Sequence, residues 1–165
     1  MVVRLGVTVA FACGALAADG HAATVSLVAT GPIEPGIEGY ALSFQAAPGE
    51  ANRLTMSQSA EGFSWTFRDA GAPVVPGVNC AAAPDATVTC AVVPAPTLYY
   101  SAYVTARVDL GDSDDTAEIA TQSREEIDAG SGDDALILHA GSGIASLGPG
   151  RDTAAADAGV WGVDG

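Results

Sequence analysis

Asp128 to Asp152 reads D-A-G-S-G-D-D-A-L-I-L-H-A-G-S-G-I-A-S-L-G-P-G-R-D. Gly-x-Gly recurs three times in it, at Gly130/Gly132, Gly141/Gly143 and Gly148/Gly150, and Asp follows two of the three, at Asp133/Asp134 and Asp152. Glycine accepts positive φ, so each pair marks a tight turn that can aim its carbonyl oxygens outward. A short apolar step follows each turn. An earlier unit, Leu110-Gly111-Asp112-Ser113-Asp114-Asp115-Thr116-Ala117, has the same plan. The first glycines of the four units, Gly111, Gly130, Gly141 and Gly148, are 19, 11 and 7 residues apart. The last two intervals together make 18, two nonapeptides, so the register slips once and recovers.

These units resemble the hemolysin-type (RTX) calcium-binding repeat, G-G-x-G-x-D-x-U-x, where U is a large apolar residue. The resemblance implies that one nonapeptide makes half a turn of a parallel β-roll, so that units two apart stack on the same side. Calcium takes about six to eight oxygens, more than one turn supplies but within reach of two stacked turns. Asp134 and Asp152, 18 residues apart, are therefore expected on one side of the roll. The best calcium site is expected between Gly130–Asp134 and Gly148–Asp152, with Gly130, Gly132, Asp134, Gly148, Gly150 and Asp152 as its residues. Asp115 lies 19 residues before Asp134 and extends the row with one residue of bulge, giving a second site with Asp112 and Asp115. The opposite row is poor: Ala145 stands where Asp is expected, and Gln122-Ser123-Arg124-Glu125-Glu126 lacks glycine. Arg151 beside Asp152 weakens a cation site. An EF-hand is excluded, because no D-x-D-x-D-G-x5-E string occurs.

The charge agrees with a cation partner. The 165 residues include no lysine and carry a net charge of -14. This argues against nucleic acid or an anionic membrane as partner. Thirteen of the 20 acidic residues lie from Asp109 onward, and a compact tail so charged repels itself unless neutralised.

Met1 to Ala22 has the order of an export signal: basic Arg4, apolar Leu5–Ala18, then small residues around Gly20–Ala23. The apolar run is too short for a comfortable membrane span. A secreted mature chain without a membrane span is expected, and Cys13 leaves with the signal. The remaining Cys80 and Cys90 are most simply one disulfide. Closing that short loop is worth about 2–3 kcal/mol. A zinc pair is a poorer reading, since the two lie too far apart for a zinc knuckle and no second pair exists.

Between residues 23 and 108, β-formers alternate with Gly and Pro breaks. Thr24–Thr30 reads as a strand ended by Gly31-Pro32, and Pro35–Gly39 as a loop. Tyr40, Leu42 and Phe44 alternate with Ala41, Ser43 and Gln45; Ala47–Glu50 is a turn; Leu54 and Met56 lie on the next strand. Phe63, Trp65 and Phe67 form the cleanest period-2 run, and Thr87–Val93 and Leu98–Leu110 are further strands. The run A-A-P-G-E-A-N (Ala46–Asn52), the later D-A-G-A (Asp69–Ala72) and the paired cysteines resemble the N-terminal region of secreted bacterial hemolysin-type calcium-binding proteins.

The expected fold is all-β: a signal peptide (1–22), a small disulfide-bonded β-sandwich-like domain (23–108) and a short, degenerate parallel β-roll (109–165). No catalytic motif is present: there is no G-x-S-x-G, H-E-x-x-H, P-loop or dinucleotide fingerprint. His139 is the single histidine after the signal and reads as a turn or edge residue, and Glu125-Glu126 as neighbours on an exposed loop. The expected function is secreted, non-enzymatic calcium binding, with Ca2+ as ligand. The alternative is a metal-free secreted structural or adhesion module with decayed repeats.

Overall fold

A computed structural model describes residues 22–92, 101–139, 141–157 and 159–165, with Ser101 described by its backbone alone. The expected export signal, apart from Ala22, lies outside these residues, as do Val93 and Leu98–Tyr100 of the expected strands. The described chain is all-β, in two sheets. No helix among the described residues is long and apolar enough to cross a membrane.

β1 (Ala23–Glu34) and β2 (Ile37–Gln45) form an antiparallel hairpin closed at Pro35-Gly36, where Gly36 takes φ +86°. β1 runs on through Gly31-Pro32, expected to end it, because register shifts on either side let the ladder step past the proline. Glu38 and Gly39, expected in a loop, lie in β2 for the same reason. The chain then crosses to the second sheet, where β3 (Arg53–Gln58) and β4 (Ser64–Asp69) form a hairpin. β5 (Val74–Pro76) returns to the first sheet beside β1, while β6 (Cys80–Ala82) and β7 (Val88–Ala91) extend the second beyond β4. Cys80 and Cys90 stand directly opposite each other on β6 and β7 and are disulfide-bonded, as expected.

From β8 (Ser101–Asp109) onward the chain alternates between the sheets. β10 (Arg124–Asp128), β12 (Ser142–Ser146) and β14 (Val160–Asp164) follow β8 in the first sheet, each parallel to its predecessor there. β9 (Thr116–Ala120), β11 (Ala135–His139) and β13 (Thr153–Ala156) do the same in the second. The result is a coil with one strand of each sheet per winding. β2 pairs in parallel with β8, and β3 with β9, so β2 and β3 form the winding above. Both sheets therefore run across the boundary expected at residue 108.

Period-2 alternation fills the space between the sheets. Met56, Ile119 and Leu138 stack as one inward column, and Leu54, Ala117 and Leu136 as another, with Glu118 and Ile137 facing out. Opposite them run Phe44, Val108, Ile127 and Ala145. Fully burying a side chain of the Leu, Ile or Met size contributes about 1.5–3 kcal/mol. Trp65 and Phe67, on β4 beside β3 in the second sheet, are fully buried, and Phe67 stacks on Phe44 of the first sheet with ring centroids 6.1 Å apart. The columns shrink downward: the last winding offers Ala154 and Ala156, both exposed, and Val160 is 79% exposed.

Candidate metal centre

Every winding crosses from the first sheet to the second through a short turn, and these turns stack. Gln45, Asp109, Asp128 and Ser146 are register partners on one side of the crossing, and Arg53, Thr116, Ala135 and Thr153 on the other. The turns 46–52, 110–115, 129–134 and 147–152 therefore form one row of four. The eight residues expected to hold calcium, Asp112, Asp115, Gly130, Gly132, Asp134, Gly148, Gly150 and Asp152, all fall in this row. The extra residue in the 19-residue winding lies elsewhere. It is in the opposite turn, where three residues (121–123) join β9 to β10 and two (140–141) join β11 to β12. The acidic turns thus stay in register, and the one extra residue expected between Asp115 and Asp134 is taken up on the far side of the winding.

Glycine makes the stacking possible. Gly111, Gly130 and Gly148 take φ of +90°, +89° and +77° in one column. A Cβ on Gly130 would lie 1.7 Å from the Gly111 carbonyl oxygen, and one on Gly148 1.8 Å from that of Gly130. Gly132 and Gly150 form a second column with equally close approaches, to the carbonyls of Ser113 and Gly132. Successive turns therefore touch backbone to backbone. The Ser131 N–H donates to the Gly111 carbonyl at 3.0 Å.

Two carboxylate ladders tie the turns together, and they point in opposite directions. In one, each side chain reaches back. The Asp115 carboxylate accepts the Asn52 N–H (2.6 Å), Asp134 accepts that of Asp115 (2.8 Å) and Asp152 that of Asp134 (2.9 Å). In the other, Asp114 reaches forward to the Asp133 N–H (2.8 Å) and Asp133 to the Arg151 N–H (3.0 Å). Each bond uses a single carboxylate oxygen. Oδ2 of Asp115 and Oδ2 of Asp134 are buried with no hydrogen-bond partner, on side chains that are themselves buried.

The electrostatics follow from this burial. Desolvation lifts the Asp115 carboxyl to about 6, against the lowering effect of the Asn52 hydrogen bonds, and the Asp134 charge adds to the rise. Asp134 is raised as well, first by burial and then by Asp152, Asp114 and Asp133. Arg151 lies 3.3 Å from Asp133 rather than at Asp152, on a side chain that is 90% exposed. Among the described residues no three His, Cys, Asp or Glu side chains form a metal-holding group. A cation in this row would therefore need backbone carbonyls as well as carboxylates. The donor set fits a hard cation: it consists of oxygens only, two of them orphaned and buried, on turns whose glycines bring successive backbones into contact.

Sequence reasoning read Ala47–Glu50 as a turn but did not place it at the top of this row. Ala46–Asn52 is separated from the next member of its row by the β4–β7 excursion, so no repeat spacing connects them. Its signal was the terminal Asn52, followed by Leu54 and Met56 as Asp115 is followed by Ala117 and Ile119. The forward ladder of Asp114 and Asp133 was also missed, because the repeat pattern singles out only the last carboxylate.

The opposite row differs from expectation. Glu125 and Glu126 are not neighbours on an exposed loop. They alternate in β10, so Glu126 faces out, 3.6 Å from Arg107, while Glu125 faces the core at 2% exposure. The Thr121 hydroxyl donates to Glu125 Oε1, and Oε2 is unpartnered. Oε2 and the carbonyls of Thr121 and Ser123 all lie within 3.4 Å of where a Gly141 Cβ would be. Burial raises the Glu125 carboxyl from 4.5 to about 7, opposed by the Thr121 hydrogen bond. The folded state thus holds this proton more tightly than the unfolded chain. The stability it brings is complete below pH 4.5 and is lost as pH rises through about 7. Glu125→Gln supplies a neutral amide whose N–H groups find the two carbonyls. Urea denaturation at pH 8 is expected to find the variant more stable than the parent by about 1–3 kcal/mol, and the gain vanishes at pH 4.5. A gain independent of pH would show that burial leaves the affinity of Glu125 for its proton unchanged on folding.

His139 sits on the outer face of β11, with Nδ1 2.6 Å from Asp157 and Nε2 3.2 Å from Glu118. These hydrogen bonds and charges raise its pKa, so it acts as a cross-strand bridge between windings. Trp161, on β14, packs against the core beside Gly143, whose Cβ would lie 3.0 Å from its ring.

No protein-family model, curated protein or solved structure matches the chain.

Proposed function

We propose that this chain is an exported, non-enzymatic calcium-binding protein whose tail is a short, degenerate parallel β-roll of the hemolysin type. The observation that carries the reading is the backward ladder Asn52–Asp115–Asp134–Asp152. Its carboxylates recur at intervals of 19 and 18 residues, and the two that are buried, Asp115 and Asp134, each carry an orphan oxygen. A buried carboxylate lacking a positive partner is costly, and a divalent ion between turns removes that cost. The residues assigned to it are Asp112, Asp115, Asp134 and Asp152, with carbonyls from the Gly111, Gly130 and Gly148 turns completing the shell. The ion supplies charge neutralisation and cross-linking, and no bond-making chemistry follows from it. The pairing of Cys80 with Cys90 agrees with an oxidising compartment.

One observation favours the metal-free structural module: each ladder carboxylate already accepts a backbone N–H, so the turns have a partner without metal. Calorimetric calcium titration separates the two readings. The calcium reading expects binding that Asp134→Asn weakens at least tenfold, while magnesium binds far less well because it tolerates irregular oxygen shells poorly. Absence of any calcium heat, together with an unchanged stability of Asp134→Asn in calcium, establishes the metal-free module.

A further inference from the structure

The richest set of unpartnered oxygens lies above the Gly-x-Gly repeats, on the two uppermost turns. Glu50 Oε1 and Asn52 Oδ1 on turn 46–52 and Asp115 Oδ2 on turn 110–115 are buried and have no hydrogen-bond partner. Their residues are 7%, 0% and 0% exposed. Two carboxylates of the lower turn reach up to the upper one: Asp112 accepts the Gly49 N–H at 2.5 Å, and Asp115 accepts the Asn52 N–H at 2.6 Å. The Asn52 amide nitrogen donates to the Leu110 carbonyl (3.1 Å) and to Asp115 (3.3 Å), and the Glu50 carboxylate accepts the Ala47 N–H (2.9 Å). Among the described residues the ion pairs place no Arg or His on Glu50, Asp112 or Asp115, whereas Arg151 meets Asp133 lower down. Three buried, unpartnered oxygens, two from carboxylates and one from a carboxamide, thus lie on two adjoining turns, and among the described residues no ion pair answers them.

We propose that a divalent cation binds between turns 46–52 and 110–115, held by Glu50, Asn52, Asp112 and Asp115, and fastens the N-terminal strands to the coil. The site rests on the calcium reading of the row but extends it to residues outside the repeat motif. Its donors are carboxylate and carboxamide oxygens, which select a hard ion, and their irregular arrangement favours calcium over magnesium. The ion would join segments 63 residues apart in sequence, as Asn52 and Asp115 are. It closes the chain around the whole β4–β7 excursion.

Calcium titration of the full chain, of Glu50→Gln and of Asp152→Asn tests this. Glu50→Gln keeps an oxygen for the Ala47 N–H and removes one charge. It is expected to weaken one binding event at least tenfold while sparing the event that Asp152→Asn removes. In the unsubstituted chain, calcium is expected to slow amide exchange at Gly49 and Asn52. Loss of an event in Asp152→Asn but none in Glu50→Gln, with exchange at Gly49 and Asn52 unchanged by calcium, overturns this site and leaves the lower ones standing. A chain that binds no calcium at all overturns both.

Discussion

Gly130→Ala is expected to cost about 3–5 kcal/mol, enough to unfold the lower coil, with a correspondingly lower urea midpoint. Two penalties combine at this position. An L-residue at φ +89° pays about 1–2 kcal/mol for the left-handed conformation. The added methyl also falls 1.7 Å from the Gly111 carbonyl oxygen, a backbone atom that cannot swing aside. Stacked turns must then separate, and the hydrogen bond from Ser131 to Gly111 goes with them. Gly111→Ala is the matched control. It has nearly the same φ, +90°, but its new methyl meets only the Ala46 Cβ at 3.7 Å. It should lose about 1–2 kcal/mol, the conformational penalty alone. Equal losses at the two positions would show that the turns do not touch.

Calcium at about a hundred times the dissociation constant is expected to stabilise the chain by about 2.7 kcal/mol for each site it fills. Two sites give roughly 5 kcal/mol, comparable with the whole stability of a small domain at about 5–15 kcal/mol. For a chain of this size that is a rise of roughly 10–20 °C in melting temperature, reversed by a chelator. The effect is large because the metal-free turns enclose like charges: on top of burial, Asp134 adds to the rise at Asp115, and Asp152, Asp114 and Asp133 add to the rise at Asp134. A melting temperature indifferent to calcium and chelator alike would leave the turns as hydrogen-bonded ladders only.

Much of the coil was legible because its signals are local. Gly-x-Gly followed by Asp fixes a turn, Leu136 and Leu138 fix an inward face, and the recurrence at 18 or 19 places Asp134 over Asp152 and Asp115 over Asp134. The cysteine pair was legible from compartment chemistry. What escaped required long-range pairing. Nothing near Asn52 shows that it caps the same row as Asp115, because β4 to β7 intervene and their placement depends on packing against Trp65 and Phe67. Glu125 was misplaced because a charged residue beside another charged residue reads as solvated. Only the parallel register, which puts Glu125 in line with buried Ala106, turns it inward. Gly31-Pro32 misled in the other direction: proline commonly ends a strand, but a bulge absorbs it here.

The dwindling of the inward columns, from Met56, Ile119 and Leu138 to Ala156, sets a polarity on how the molecule comes undone. Each winding leans only on its neighbours, so the one with least to bury lets go first and exposes the next. Loosening therefore proceeds like a zip from β13 and β14 toward the cystine-braced hairpins. Under tension, the molecule would surrender its order winding by winding instead of melting all at once.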